Sequence, residues 1–388
     1  MLRHSNWINR GGAIRSRKCV GLAIILSVLL VLGLLESQYN VFSGLRTQFE
    51  PSRQSSSPRD VARNSTLGFQ NLLALSTQPS WRTRGLEAAA SLSGLEFTIP
   101  PQGQVSDEHV QVFQSIGADR GAKLPAYGSA RAWLAHLDLL KFVIASDFET
   151  ALIVEDDVDW DVRIKVQMSL VSDNVRAYTG VNESDPMPFG IDWDVLWLGH
   201  CGSLIVDEMP PPRIFADDSR CETELYSGWS KAFLRDRLVE GHRQVQSSLL
   251  TVCTFGYGVT KRGARKMVSL LSKGADEAFD VALSGYCKEE KLKCLVVNPQ
   301  LFNHYEPPVG SGYLSAVHVG DGQGETSDES GFENSKGTTG NIVKSARCEA
   351  LFHDCCSTAC KHSCGPGTGS GPGSGSGSRS GSLNGLSP

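Results

Sequence analysis

The stretch ALIVEDDVDWD, Ala151 to Asp161, decides how this chain folds. Four apolar residues run directly into three consecutive carboxylates, Glu155, Asp156 and Asp157. A short apolar run of this kind predicts a buried strand of an α/β sheet. Carboxylates at the end of such a strand project into the crevice at its carboxyl edge, where α/β proteins bind ligands. Glu155 and Asp157, two residues apart, supply hard oxygen donors suited to Mn²⁺ or Mg²⁺ and, through the ion, to a diphosphate. A solvated acidic loop is the plainer reading of the same triplet. Asp157, Asp159 and Asp161 imitate the start of an EF-hand, yet Val162 and Met168 stand where that loop needs Gly and a bidentate Glu.

The remaining sequence sets the context. The chain has 388 residues, is 40% hydrophobic and carries a net charge of -5, so it supports a large globular domain and offers no basic stripe for nucleic acid. Cys19 to Leu35 is free of charge, with Arg3, Arg10, Arg15, Arg17 and Lys18 before it and Glu36 after it. The positive-inside rule makes residues 1–18 a cytosolic tail and 19–35 a retained signal-anchor. A cleaved signal peptide competes with this reading, but no small-x-small site follows promptly. The expected location is the Golgi or endoplasmic reticulum membrane, single-pass type II, with the rest of the chain luminal. Residues 36–66 are Ser-, Arg- and Gln-rich and read as a flexible stem. Residues 320–347 read as a linker, 348–364 as a Cys-rich segment and 365–388 as a disordered Gly/Ser/Pro tail. An oxidising lumen favours disulfides over zinc for Cys348, Cys355, Cys356, Cys360 and Cys364, and allows pairs among Cys201, Cys221, Cys253, Cys287 and Cys294 that spacing does not identify. Sequons at Asn64 and Asn182 agree with a luminal domain.

Residues 67–319 alternate short apolar runs with helical periodicity, the pattern of an α/β fold. Strands are expected at 72–75, 97–99, 151–155, 194–199, 252–259 and 294–297. Helices are expected at 84–92, 129–146, 261–271 and 276–283. In the helix over 129–146, Ala130, Trp133, Leu134, Leu137, Leu140 and Ile144 repeat at helical spacing and form one buried face.

An ordered set of segments then resembles glycosyltransferase family 25, the lipopolysaccharide-type galactosyltransferases and their eukaryotic relatives. The likeness runs over about 69–305. It comprises LLALSTQPSWRTRGLEAAASLSGLEF, SARAWLAHLDLLKF, LIVEDDV, DVLWLG, TFGYGVTKRGARKMV and AFDVALSGYCKEEKLKCLVVNPQLFNHY. One block departs from the family: where it carries Gly-Cys-x-x-Ser-His, this chain has Arg131, Ala132 and Ala135, and only His136 remains of the polar part. The resemblance implies a GT-A-type, Rossmann-like nucleotide-sugar domain using a UDP-sugar donor, a divalent metal and inversion at the anomeric carbon.

The resemblance and the chemistry together assign roles. A nucleoside diphosphate leaves readily only when its developing charge is neutralised, which a carboxylate-held cation achieves. Asp157 and Glu155 are the expected metal ligands, with His304 a further one or a plain loop histidine. Asp156, of opposite strand parity, is expected at the ribose or a ligand water. Arg82 and Arg84 follow the first strand and suit the donor's phosphates, since Arg pairs with phosphate bidentately, or are surface arginines. His136 is a donor contact or a hydrogen-bonded structural histidine. Inversion needs a base to take the acceptor hydroxyl proton, and Asp280 is the candidate, or else a first-turn carboxylate facing a helix dipole. Trp160 beside the triplet stacks on a sugar or is simply packed. No P-loop and no GxGxxG after a strand is present, and the folded region has no GxSxG elbow. Two functions follow as expectations. One is a membrane hexosyltransferase moving galactose from a UDP-sugar to a glycan or glycoprotein. The other is a non-catalytic luminal pseudoenzyme or glycan-binding protein on the same scaffold.

Overall fold

The computed structural model describes residues 57–118, 123–308 and 310–354. The expected cytosolic tail, the signal-anchor, most of the stem, the cysteines from Cys355 onward and the Gly/Ser/Pro tail lie outside the described residues. Among the described residues no helix is long and apolar enough to cross a membrane.

The fold is α/β with a mixed sheet. Strands β1 (Asn71–Leu75), β2 (Phe97–Thr98) and β3 (Thr150–Glu155) are parallel neighbours in the order β2-β1-β3. The sheet continues β8 (Gly256–Thr260), β5 (Val195–Gly199), β9 (Cys294–Asn298), β7 (His242–Ser247) and β6 (Arg213–Ala216). β8 lies antiparallel between β3 and β5, so β1, β3, β5 and β9 share a direction and a carboxyl edge. Strand β4 (Val158–Trp160) pairs antiparallel with β10 (Phe302–Glu306), which also pairs with β11 (Thr338–Thr339).

Alternation along the strands divides the core into two layers. Leu72, Ala74, Leu152 and Val154 face helices α1 (Trp81–Ser93) and α4 (Ile164–Thr179). Leu73, Ala151 and Ile153 face α3 (Tyr127–Ala145), α5 (Lys261–Leu271) and α6 (Phe279–Lys288), with α2 (Asp107–Ala118) packed outside α3. The burial of both faces explains why β3 reads as an unbroken apolar run rather than an alternating one.

Several elements differ from expectation. The helix after β1 begins at Trp81 rather than Arg84, because Ser80 caps it: the Ser80 hydroxyl accepts from Arg82 N, and Thr83 Oγ1 accepts from Ser80 N at 2.9 Å. The strand expected over 252–259 is extended only from Gly256. Cys253 sits at φ +67° and is disulfide-bonded to Cys201, and Val252 makes only an isolated bridge to Gly202. The helix expected over 276–283 runs instead from Phe279 to Lys288, and the second disulfide, Cys287–Cys294, ties its end to β9.

The segment 320–347 is no linker. It carries a 3₁₀ turn at Glu329–Asn334, the strand β11 and the start of helix α7 (Ala346–Phe352), and it buries Phe332, Ile342, Val343, Ala346 and Arg347. Its Gly, Ser and Asp content reflects turns and caps: Asp328 and Ser345 each accept a backbone N–H at the start of a helical turn. The folded unit also begins earlier than residue 67, with Ala62 and Leu67 fully buried.

Candidate functional site

β1 and β3 end together, with Leu75 opposite Glu155. From β1 the chain proceeds outward to β2, then returns to β3 on the other side, so their shared carboxyl edge is a topological switch point, where such sheets form ligand crevices. The acidic triplet stands at that edge. Ser76, the first residue past β1, donates to Asp156 Oδ2 at 2.6 Å and joins the two strand ends.

Register brings His304 to the triplet from far along the chain. β10 pairs with β4 so that His304 opposes Val158, and Tyr305 N donates to Asp157 O at 2.8 Å. His304 Nε2 then lies 2.9 Å from Asp157 Oδ2, and its Nδ1 lies 3.2 Å from Glu306. Burial disfavours the imidazolium, but the charge and hydrogen bond of Asp157 outweigh it and hold the His304 pKa up at about 10. The same pairing, with help from Arg82 and Arg347, overcomes the burial of Asp157 and draws its carboxyl down to about 2. Burial and the Asp157 charge push Glu155 up to about 7 and Asp156 up to about 6. Three adjacent carboxyls are thus split into one firmly ionised group and two that hold protons easily.

The flanking residues set the shape. Glu155 Oε1 accepts from Thr254 Oγ1 at 2.7 Å, and Thr254 also meets His136 Nε2 at 3.2 Å. His136 bonds Tyr257 through Nδ1, stacks on Phe279 at 4.6 Å and is buried, which lowers its pKa to about 3 and keeps it neutral. Its ring is therefore engaged at both nitrogens; Nε2 lies 3.9 Å from Glu155 Oε1, and Thr254 bridges the two. This geometry fits the hydrogen-bonded structural reading of His136. Asp280, in the first turn of α6, accepts from Cys253 N at 2.7 Å through Oδ2 and lies within electrostatic reach of Glu155.

Arg82 is held between Trp81 and Tyr313, at 5.6 and 5.7 Å from their ring centres, and its Nη2 is 3.2 Å from Glu329 Oε1. It lies within electrostatic reach of Asp157 and Asp156. Arg84 does not join it; its half-exposed guanidinium pairs with Glu333. Trp160 is fully buried against Phe97 and Phe302, so it packs and meets no sugar.

Residues that sequence reasoning missed complete the site. Arg347 is fully buried, and its Nη2 donates to the carbonyls of Asp156, Val158 and Arg82 at 2.9, 3.2 and 3.1 Å, pinning the acidic turn to α1. Nothing in its local sequence marks it beyond the Ser345 cap of a seven-residue helix. Ser76, Thr254 and Tyr313 carry no distinguishing pattern either; only their place at strand ends and in the facing segment gives them a role.

Three buried polar atoms around this edge have no partner: Asp157 Oδ1, Arg82 Nε and Tyr313 Oη. Among the described residues no three His, Cys, Asp or Glu side chains converge as a complete cation cage. Asp157 Oδ1 is a buried, unpartnered carboxylate oxygen that suits a divalent cation such as Mn²⁺. His304, by contrast, holds its proton between Asp157 and Glu306 and would serve as a nitrogen ligand only on giving that proton up to the incoming ion. Comparison with models of known protein families and with curated proteins gives no match.

Proposed function

We propose that this chain is a hexosyltransferase with a GT-A-type, Rossmann-like domain, moving a hexose, galactose foremost, from a UDP-sugar to a glycan or glycoprotein hydroxyl. The observation that carries the reading is the unpartnered set of Asp157 Oδ1, Arg82 Nε and Tyr313 Oη at the β1–β3 switch point. A buried polar atom without a partner is costly unless something fills its place, and this set offers both cation-binding and anion-binding groups to one ligand.

In this reading Asp157 and His304 hold Mn²⁺ or Mg²⁺, and Glu155 stands beside them as the further candidate ligand. The ion supplies Lewis-acid neutralisation of the departing diphosphate. Arg82, kept rigid by Trp81, Tyr313 and Glu329, adds fixed positive charge for the phosphates. Asp156, bridged to Ser76, faces the ribose. Asp280 Oδ1, the oxygen not used by Cys253, takes the acceptor proton during in-line attack. The luminal, type II placement rests on the charge pattern around residues 19–35.

Two observations favour the non-catalytic alternative. The candidate base is already tied to a backbone N–H, and the cation site draws only two converging side chains from the described residues. Titration of the purified chain with UDP, with and without Mn²⁺, tests the primary reading. Manganese-dependent UDP binding is expected, and Asp157→Asn should weaken it at least tenfold with the far-ultraviolet spectrum unchanged. UDP binding without UDP-sugar hydrolysis or transfer would establish the alternative, and no UDP binding at all would remove the donor site.

A further inference from the structure

A cavity of about 340 Å³ lies between α1, β10 and the segment 332–351, lined among others by Trp81, Gly85, Tyr305, Phe332, Asn334 and Arg347. None of Glu155, Asp156, Asp157 or His304 lines it. The buried guanidinium of Arg347 forms one wall. Its Nη2 is spent on three neutral backbone carbonyls, while Nε and Nη1 have no hydrogen-bond partner among the described residues. No carboxylate touches this guanidinium within bonding distance among the described residues. Gly85 lets it lie flat against α1, since a Cβ there would stand 2.3 Å from Nη1.

We propose that this cavity is a binding site for a small anion, a carboxylate or a phosphate monoester with an apolar body. A guanidinium with free N–H groups selects oxygen anions, and Arg matches carboxylate and phosphate better than any other cation. The aromatic rings of Trp81, Tyr305 and Phe332 suit a planar or apolar remainder, while the carboxylate of Glu333 on the same lining, paired with Arg84, must be displaced by an incoming anion. The volume falls in the range of small-molecule sites. Arg84, on the same lining, carries a second positive charge now paired with Glu333 and half exposed, available to an incoming anion by exchange of partner. Arg347 also holds the carbonyls of Asp156 and Val158 on either side of Asp157, so an occupant would be felt at the acidic turn.

The test is calorimetric titration of the full-length chain with inorganic phosphate and, separately, with benzoate. Saturable one-to-one binding of at least one probe is expected, and the tighter probe identifies the anion class. Asn334→Trp fills the exposed side of the cavity while leaving Arg347 in place, and should weaken binding at least tenfold. Arg347→Met should abolish it, and where that variant does not fold, Asn334→Trp carries the test alone. Binding should persist in Asp157→Asn, which separates this site from the crevice. Absence of saturable binding below about 10 mM, an affinity of only a few kcal/mol, overturns the proposal. So does binding that Asn334→Trp leaves within twofold, or that Asp157→Asn removes.

Discussion

Replacing Gly85 with Ala in α1 sets two opposed effects against each other. In a helix interior Ala is favoured over Gly by about 1 kcal/mol, and Gly85 has ordinary helical backbone, so propensity alone predicts a more stable protein. The new Cβ, however, would stand 2.3 Å from Arg347 Nη1 and 2.8 Å from Cζ, where ordinary contact begins at 3.4 Å. The guanidinium would have to retreat by about 1 Å from a fully packed position, at an overpacking cost of roughly 1–3 kcal/mol. That movement also stretches the three carbonyl bonds now at 2.9, 3.1 and 3.2 Å, each worth about 1.5–3 kcal/mol when the donor is charged. With one such bond lost, the net expectation is destabilisation by roughly 2–4 kcal/mol. Urea unfolding followed by tryptophan fluorescence measures this. The same substitution in an Arg347→Met background should be neutral or stabilising, giving a coupling of about 2 kcal/mol or more. A Gly85→Ala protein that is more stable than the parent when Arg347 is present, or a substitution effect that is the same in both backgrounds, refutes the claim that this glycine exists to seat Arg347.

Other expectations are checked more simply. In chelator, the Asp157–His304 pair should give an alkaline loss of stability: the His304 pKa is raised on folding, so its contribution is complete below the unfolded value of 6.5 and is lost as pH rises through about 10. A fall of roughly 2 kcal/mol between pH 6.5 and 8.5 is expected, and an unchanged slope in Asp157→Asn would contradict the pairing. Cys201→Ser opens a loop closed across 52 residues and should cost about 4 kcal/mol by the chain-entropy relation, read as a lower urea midpoint. Asp217→Ala strands the buried Arg243, whose Nε is 2.6 Å from Asp217 Oδ2, and should cost about 3–5 kcal/mol. A loss under 1 kcal/mol would mean that the carbonyls of Pro299 and Gln300 alone satisfy that guanidinium.

The parts of the fold carried by local pattern were legible in the sequence. Residues 151–155, 194–199 and 294–297 are short apolar runs buried on both faces, and 129–146 repeats at helical spacing, so each announced itself. The helix over Lys261–Leu271 was legible to the residue, because Thr260 caps it and its buried residues recur on one stripe. Helix α4 escaped notice because Gln167, Ser169, Ser172 and Asn174 occupy buried positions on it and blur the stripe. Strands β6, β7 and β10 escaped because polar residues interrupt them, and in β7 the buried Arg243 is satisfied only by distant partners such as Asp217 and Pro299. The acidic triplet was conspicuous, but its division into one ionised and two protonatable carboxyls depends on His304, Arg82 and Arg347, which reach it through pairing and packing. The segment 320–347 looked like a linker because its turn and cap residues are those that also make up flexible chain.

The pairing of β10 with β4 has a consequence for the order of events during synthesis. Asp157 leaves the ribosome about 150 residues before His304 and about 190 before Arg347. For that interval the three clustered carboxyls have Arg82 but neither His304 nor Arg347 as counter-charge, and the turn that presents them is not yet pinned by Arg347. Contacts of such long sequence separation form late in folding. The crevice at the β1–β3 carboxyl edge is thus late to mature, and a chain released early would hold most of its sheet while lacking His304 and Arg347 beside the acidic turn.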